Sequence, residues 1–340
     1  MKIFKLLMFL AFLPFLMFAE TYNPSGGGVA TIATTAPNAD FVSIPEAIRA
    51  VYSKEVLFLA QPRFKFLQFA KEKTDLTAIK GKSISFTKYS NLEGGGELDE
   101  TEILKAVGMG TSEITISVKE HGNATTVSEL SLKTSLLDVL GNASQLLAAN
   151  LAKVLDTQFR DTCLTTTNVV FGNGKTAAND LVDGDGFTTT TVKDAVEVLA
   201  TNNAPKINGE YYVCIAHPHQ LRQLRDDSAW INAQAYRGMG RQLFIGEVGM
   251  YEGVIFIETT QMPHLNTAQT ITKYGAGYTA TNGYEAVIFG ENAYAWAVAL
   301  PVEMRDDGVI NLGRFHTIGW YGIWGTGLIE EQNIVKILTA

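Results

Sequence analysis

Three short stretches of this chain have residue types and spacings that chemistry uses. His217, Pro218 and His219 set two imidazoles two residues apart, close enough to share a metal ion. A third ligand would have to come from His264 or His316, and no spacing rule recruits either. The tripeptide reads instead as the start of a helix, with Pro218 at its first position. GNGKT at 172–176 resembles the end of a phosphate-binding loop, but Val169 stands where the full pattern needs a glycine. VDGDGF at 182–187, with Asp183 and Asp185, resembles a calcium loop, yet Thr188 holds a position that demands glycine and no glutamate closes it. That stretch reads as a turn. Cys163 and Cys214 supply no disulfide framework and no cysteine zinc site, and they read as small buried hydrophobes. Asn123-Ala-Thr and Asn142-Ala-Ser match a glycosylation pattern short enough to recur by chance. No serine, cysteine or histidine arrangement marks a nucleophile. The sequence offers no catalytic residue, no metal-ligand set and no cofactor site.

A different stretch is harder to dismiss. NLEGGGELDETE at 91–102 places Gly94, Gly95 and Gly96 beside Glu93, Glu97, Asp99, Glu100 and Glu102. Three consecutive glycines cost more backbone entropy on ordering than any other triplet. The runs on either side read as strands. SISFTKY at 83–89 puts Ile84 and Phe86 on one face, and ITISVKE at 114–120 alternates Ile114, Ile116 and Val118 with polar residues. The connection between them is about two dozen residues, where a hairpin normally uses two to five, and a loop of that length signals function or disorder.

The remaining elements must position that loop. Residues 21–45 are rich in Gly, Thr, Ala, Ser and Pro and read as an extended arm. Residues 46–72 have a helical pattern broken near Pro62. From 128 to 164, Leu132, Leu136, Leu140, Leu147, Leu151, Val154, Leu155 and Phe159 recur at helical spacing. A continuous helix there would be a rod of roughly 50 Å, with a bend expected at Gly141-Asn142. Thr191 and Asp194 suggest a capping box ahead of VKDAVEVLATNN. A strand at 211–216, the helix after Pro218, a strand-turn-strand at 243–263 and a strand-rich end at 285–338 complete an α+β pattern without internal repeats.

At 340 residues the chain has room for a sizeable core. Charged residues are 18%, against roughly 25% in average globular proteins. That deficit points to surface buried in an assembly. The net charge of −8 argues against an outer face that binds nucleic acid, though acidic walls suit a cavity that must not stick to DNA. The first twenty residues, MKIFK followed by LLMFLAFLPFLMFAE, have the pattern of a secretory signal, too short and too broken by Pro14 for a membrane span. A start at Met17 would remove the apolar block.

The segments TIATTAPNADFVSIPEAIRAVY (31–52), SNLEGGGELDETE (90–102), VSELSLKTSLLDVLGNASQLLAANLAKVLD (127–156), YYVCIAHPHQLRQLRDD (211–227) and GEVGMYEGVIFIET (246–259), in that order, resemble the major capsid proteins of tailed double-stranded DNA bacteriophages, specifically the podovirus type. The likeness spans nearly all of 25–340. It implies the tailed-phage capsid fold. Residues 1–20 are then a leader or a mis-assigned start, 21–45 an N-terminal arm and 46–76 a helical segment of a peripheral domain. Residues 77–125 become an extension loop, 126–164 the spine helix, 165–285 an axial domain and 286–340 strands returning to the peripheral domain.

The resemblance also implies a non-enzymatic virion protein that forms pentamers and hexamers of itself. Such a protein is assembled in the host cytoplasm with scaffold, portal and decoration proteins, and encloses packaged DNA without sequence-specific binding or a membrane. A cytoplasmic shell protein has no use for an export signal, so Met17 is the expected start, or the leader is removed. Glu93, Gly94, Gly95, Gly96, Glu97, Asp99, Glu100 and Glu102 are then the inter-subunit contact at the loop tip. Their carboxylates would face a neighbour's Arg49, Lys54, Arg63 or Lys65. Two other readings stand beside this one: a secreted or cell-surface β-rich binding protein, which the leader would explain, and a nanocompartment shell of the same fold.

Overall fold

The computed structural model describes residues 64–74, 81–89, 108–135, 139–237, 247–275 and 277–340. The leader, the arm, the basic residues Arg49, Lys54 and Arg63, and the whole acidic tip from Glu93 to Glu102 lie outside the described residues.

The elements run in chain order as follows. The strands β1 (Lys71–Lys73), β2 (Ser83–Tyr89), β3 (Thr111–Ser117) and β4 (Lys119–Ser128) come first, then α1 (Glu129–Thr134), α2 (Val139–Cys163) and β5 (Val169–Phe171). Next are α3 (Thr189–Thr201), β6 (Tyr212–Ala216), α4 (Pro218–Arg225) and α5 (Ser228–Arg237). The hairpin β7 (Glu247–Tyr251) and β8 (Val254–Glu258) follows, then β9 (His264–Asn266) and α6 (Thr267–Tyr274). The chain closes with β10 (Asn282–Phe289), β11 (Tyr294–Ile310), β12 (Phe315–Leu328) and β13 (Ile334–Thr339).

Three sheets result. A four-stranded sheet has the order β1-β11-β12-β4. A larger one runs β5-β13-β10-β6-β8-β7, with β9 on the same edge of β10 as β6. The third is the two-stranded ribbon of β2 and β3.

The helix α2 buries Ala143, Leu147, Ala148, Leu151, Ala152, Leu155, Phe159 and Cys163, one stripe at three- and four-residue spacing. This stripe shares a core with Trp320 and Trp324 of the four-stranded sheet and with Val213, Ile215, Ile255, Ile257, Val287 and Phe289 of the larger sheet. The intervening residues of those larger-sheet strands, Cys214, Phe256, Ala286 and Ile288, face the other way. They form a second core with Val192, Ala195, Leu199, Leu221, Leu224 and Trp230 from α3, α4 and α5. Strands covered on both faces have no wet side, which is why β6 and β13 are buried at every position. The β7–β8 turn has positive φ at both Glu252 (49°) and Gly253 (74°), the geometry a two-residue hairpin turn requires.

Several expectations are corrected. The helical pattern over 46–72 does not persist into its described end: residues 64–74 hold a short 3-10 turn at Leu67–Phe69 and then β1, parallel to β11. Their backbone groups are taken by tertiary partners, as the Lys65 and Phe66 amides donate to Asp156 and the Phe66 carbonyl accepts from the Tyr294 hydroxyl. The single rod over 128–164 is two helices. Ser135 turns extended, ending α1. The longer helix, 25 residues or about 37 Å, runs through Gly141-Asn142 without a break.

The run 114–120 is likewise not one strand; it changes from β3 to β4 at Val118, whose amide donates to the Lys82 carbonyl. α3 is capped by Thr188 rather than Thr191, the Thr188 hydroxyl accepting from the Thr191 amide. In the larger sheet β10 runs across 285/286 and the C-terminal β13 lies between β5 and β10.

Candidate assembly interface

The described root of the overlong loop shows how the chain holds it. β2 and β3 pair in register from Ser83–Ser117 to Tyr89–Thr111, so Ile84 faces Ile116 and Phe86 faces Ile114. Ile84, Phe86 and Ile116 are buried with Ala295 and Ala297 in a small cluster of their own. The ribbon can approach because β12 presents glycines beneath it. A Cβ on Gly325 would lie 2.2 Å from the Ser117 carbonyl oxygen, and one on Gly327 would lie 2.7 Å from Ile116. Lys88 pairs with Glu330, and Lys73 donates to the Ser85 carbonyl at 2.8 Å while sitting 5.4 Å from the centre of the Phe86 ring.

The alternating apolar face is therefore spent at its root on the chain's own body. Farther out the pattern changes, since Tyr89 and Met109 are 62% and 65% exposed and cover nothing among the described residues. The glycines of GWYGIWGTGL at 319–328 carry a legible signal, Gly325 and Gly327 falling two apart on one strand face.

The neighbouring joint is built on a buried carboxylate. Asp156, in the buried stripe of α2, accepts from the Lys65 amide at 2.9 Å and from the Phe66 amide at 3.3 Å. Burial raises its pKa to about 6 against the opposing pull of those amides. In the larger sheet, buried Glu285 takes Lys273 at 2.7 Å and the Tyr274 hydroxyl, while Lys336 donates to the Leu164 carbonyl at 3.2 Å. Sequence reading has no handle on either group, because the partners are distant in the chain.

The residues singled out for chemistry have other work. His217 Nδ1 caps α4 by accepting from the His219 amide at 3.1 Å, as the Pro218 start implies. His264 does join the pair, but His219 and His264 stack on Tyr284 with ring centres 4.4 and 4.7 Å away. Ring nitrogens lie in the ring plane, and one nitrogen of each imidazole is already bonded elsewhere. His316 is apart from them, 2.9 Å from Asp306. Among the described residues no group of three or more His, Cys, Asp or Glu side chains is placed to hold a metal.

GNGKT and VDGDGF pack on one another as turns. Buried Asp185 accepts from the Val182 amide and the Asn173 side chain, and Asp183 accepts from the Thr281 amide and hydroxyl. Both cysteines are buried free thiols whose pKa burial raises.

The comparisons agree with this architecture. The family described as Phage capsid protein matches residues 157–304, from the C-terminal half of α2 into β11. The structure is similar to the capsid of Ralstonia phage GP4, with a TM-score of 0.69 and 16% identity, covering 93% of this chain and 98% of that one. It is similar to the Cyanophage Pam1 capsid at a TM-score of 0.64 and 16% identity, covering 93% and 99%. The capsid of Cyanophage P-SCSP1u gives 0.60 and 17% identity over 94% and 99%. No curated protein matches the sequence. The fold is that of phage capsid subunits, and the secreted-binding-protein expectation gains nothing from it.

Proposed function

We propose, for a chain with the phage capsid fold and a phage capsid family segment across 157–304, that it is the major capsid protein of a tailed phage. It self-assembles into the icosahedral shell around packaged double-stranded DNA and performs no catalysis. The observation that carries this reading is the coincidence of a family match with a fold shared over nearly the whole of both chains.

In this reading the two sheets divide the labour. The four-stranded sheet with α2 is the peripheral domain, and the larger sheet with α3 to α6 is the axial domain, which meets its copies in pentamers and hexamers. The ribbon of β2 and β3 is the base of an extension loop. Its acidic tip, Glu93 to Glu102, reaches a neighbouring subunit, with Tyr89 and Met109 the first apolar residues offered to it. Three glycines at that tip let one sequence fit neighbours that are not all equivalent. Each exposed ion pair there contributes only about 0–1 kcal/mol, and closure of the shell multiplies it by repetition. Assembly in the host cytoplasm with scaffold, portal and decoration proteins completes the picture. Sedimentation velocity on the purified chain tests it: conversion of slow subunits into one fast-sedimenting species is expected, and a monomer at all concentrations would overturn it.

A further inference from the structure

Three of the five histidines meet at one tyrosine, and the bonds that two of them make constrain their protonation. His217 precedes α4, His219 lies in its first turn, and His264 opens β9 directly across from Tyr284 of β10. The ring centres of His217, His219 and His264 are 5.3, 4.4 and 4.7 Å from that of Tyr284. His217 Nδ1 is the acceptor that caps α4, so it must carry a lone pair there. His219 Nε2 faces the Gln223 amide nitrogen at 3.3 Å. That end of Gln223 is fixed as the donor, because its oxygen accepts from the Phe187 amide at 2.9 Å. His219 Nε2 is therefore an acceptor too. Neither bond survives protonation.

We propose that His217 and His219, packed on Tyr284, form a proton-sensitive latch, closed while both imidazoles are neutral. Acid releases it, freeing the start of α4 from the larger sheet and from the loop ahead of α3. What the latch joins is specific. The side chain of Gln220, next to the capped turn, ties α4 to the Tyr284 carbonyl and the Thr339 hydroxyl, and its oxygen accepts from the His217 amide. Gln223 ties α4 to the loop ahead of α3, and His264 donates to the Asn282 side chain at 2.8 Å.

The charged groups facing the cluster are Arg222 on α4 and Glu258 at the end of β8, the latter held by Arg225 at 2.9 Å. Glu258 alone favours the charged form of His217. Burial is the larger influence and lowers the pKa of both His217 and His219, with the other histidines and Arg222 adding to it. The Tyr284 face would accept one imidazolium, but several in contact repel, and the positive end of α4 adds to that. The sign follows: groups held more neutral in the fold stabilise it fully above their ordinary pKa of 6.5, and that contribution is lost as pH falls below it.

Hydrogen exchange read by mass spectrometry on the full chain at pH 7.5 and 5.5, corrected for intrinsic rates, tests the latch. The peptide covering 217–225 should exchange at least about fivefold faster in acid, the worth of one lost helix cap, while β6 and β13 hold. A chain carrying His217→Asn and His219→Gln together should show no such increase, because an asparagine side chain caps α4 without titrating. If that variant fails to fold, His217→Asn alone should shrink the increase at 217–225. Unchanged protection of that peptide in the parent would overturn the proposal. So would an equal increase in the variants.

Discussion

Replacing Gly325 with alanine should dislodge the loop root and, through it, assembly. The new Cβ would lie 2.2 Å from the Ser117 carbonyl oxygen and 3.1 Å from an Ile116 methyl, and the first of these is backbone that no rotamer change can move. The ribbon must lift by about an ångström, opening the cluster of Ile84, Phe86 and Ile116 over Ala295 and Ala297. Overpacking of this kind costs about 1–3 kcal/mol. Because the ribbon can detach from the rest, most of that cost should appear as local opening, some 5- to 100-fold faster exchange of the β2 and β3 amides. The core of α2 should keep its protection. Gly108→Ala, on the same loop with nothing within 4 Å of its Cβ, is the matched control and should match the parent. Urea unfolding, hydrogen exchange and particle yield by electron microscopy read the three levels. If Gly325→Ala exchanges and assembles like Gly108→Ala, the glycine floor does not seat the loop and the reasoning fails.

Deleting about ten residues across Gly94–Glu102 should leave far-UV circular dichroism and the melting temperature of the subunit near the parent values while assembly is lost or aberrant; an unfolded subunit would show that the tip belongs to its own core. Asp156 has a folded pKa of about 6, above the ordinary 3.8, so the folded state binds its proton more tightly and this group's contribution falls as pH rises from about 4 to 6. The span is about 3 kcal/mol, and Asp156→Asn should flatten that part of the stability–pH curve, whereas an unchanged slope would remove Asp156 as its source. Glu285→Ala leaves Lys273 and the Tyr274 hydroxyl without their buried acceptor and should cost about 1–3 kcal/mol in chemical denaturation, because Lys273 is partly exposed; no measurable cost would mean the site rehydrates.

What can be read from the sequence is what local rules decide. The alternation of Ile84 and Phe86, the continuous apolar run of β6 and the Pro218 helix start each follow from residues within one element, and each stands as expected. Where the chain departs from expectation, a distant partner decides. Lys65 and Phe66 leave the helical pattern because Asp156, some ninety residues on, takes their amides. β13 joins the larger sheet through pairing with β10 and β5, which no periodicity encodes. The long helix is interrupted near Ser135, where the backbone turns extended, rather than at Gly141, since a lone interior glycine only weakens a helix. His217 and His219 stand out as a pair in the sequence, and the third histidine arrives through the β9–β10 pairing.

Negative-stain electron microscopy of the purified full chain, concentrated at neutral pH, tests the central claim most directly. Closed, uniform shells are expected, or pentameric and hexameric rings that close when scaffold is added. A field of monomers under every condition, with the loop root protected as described, would contradict it.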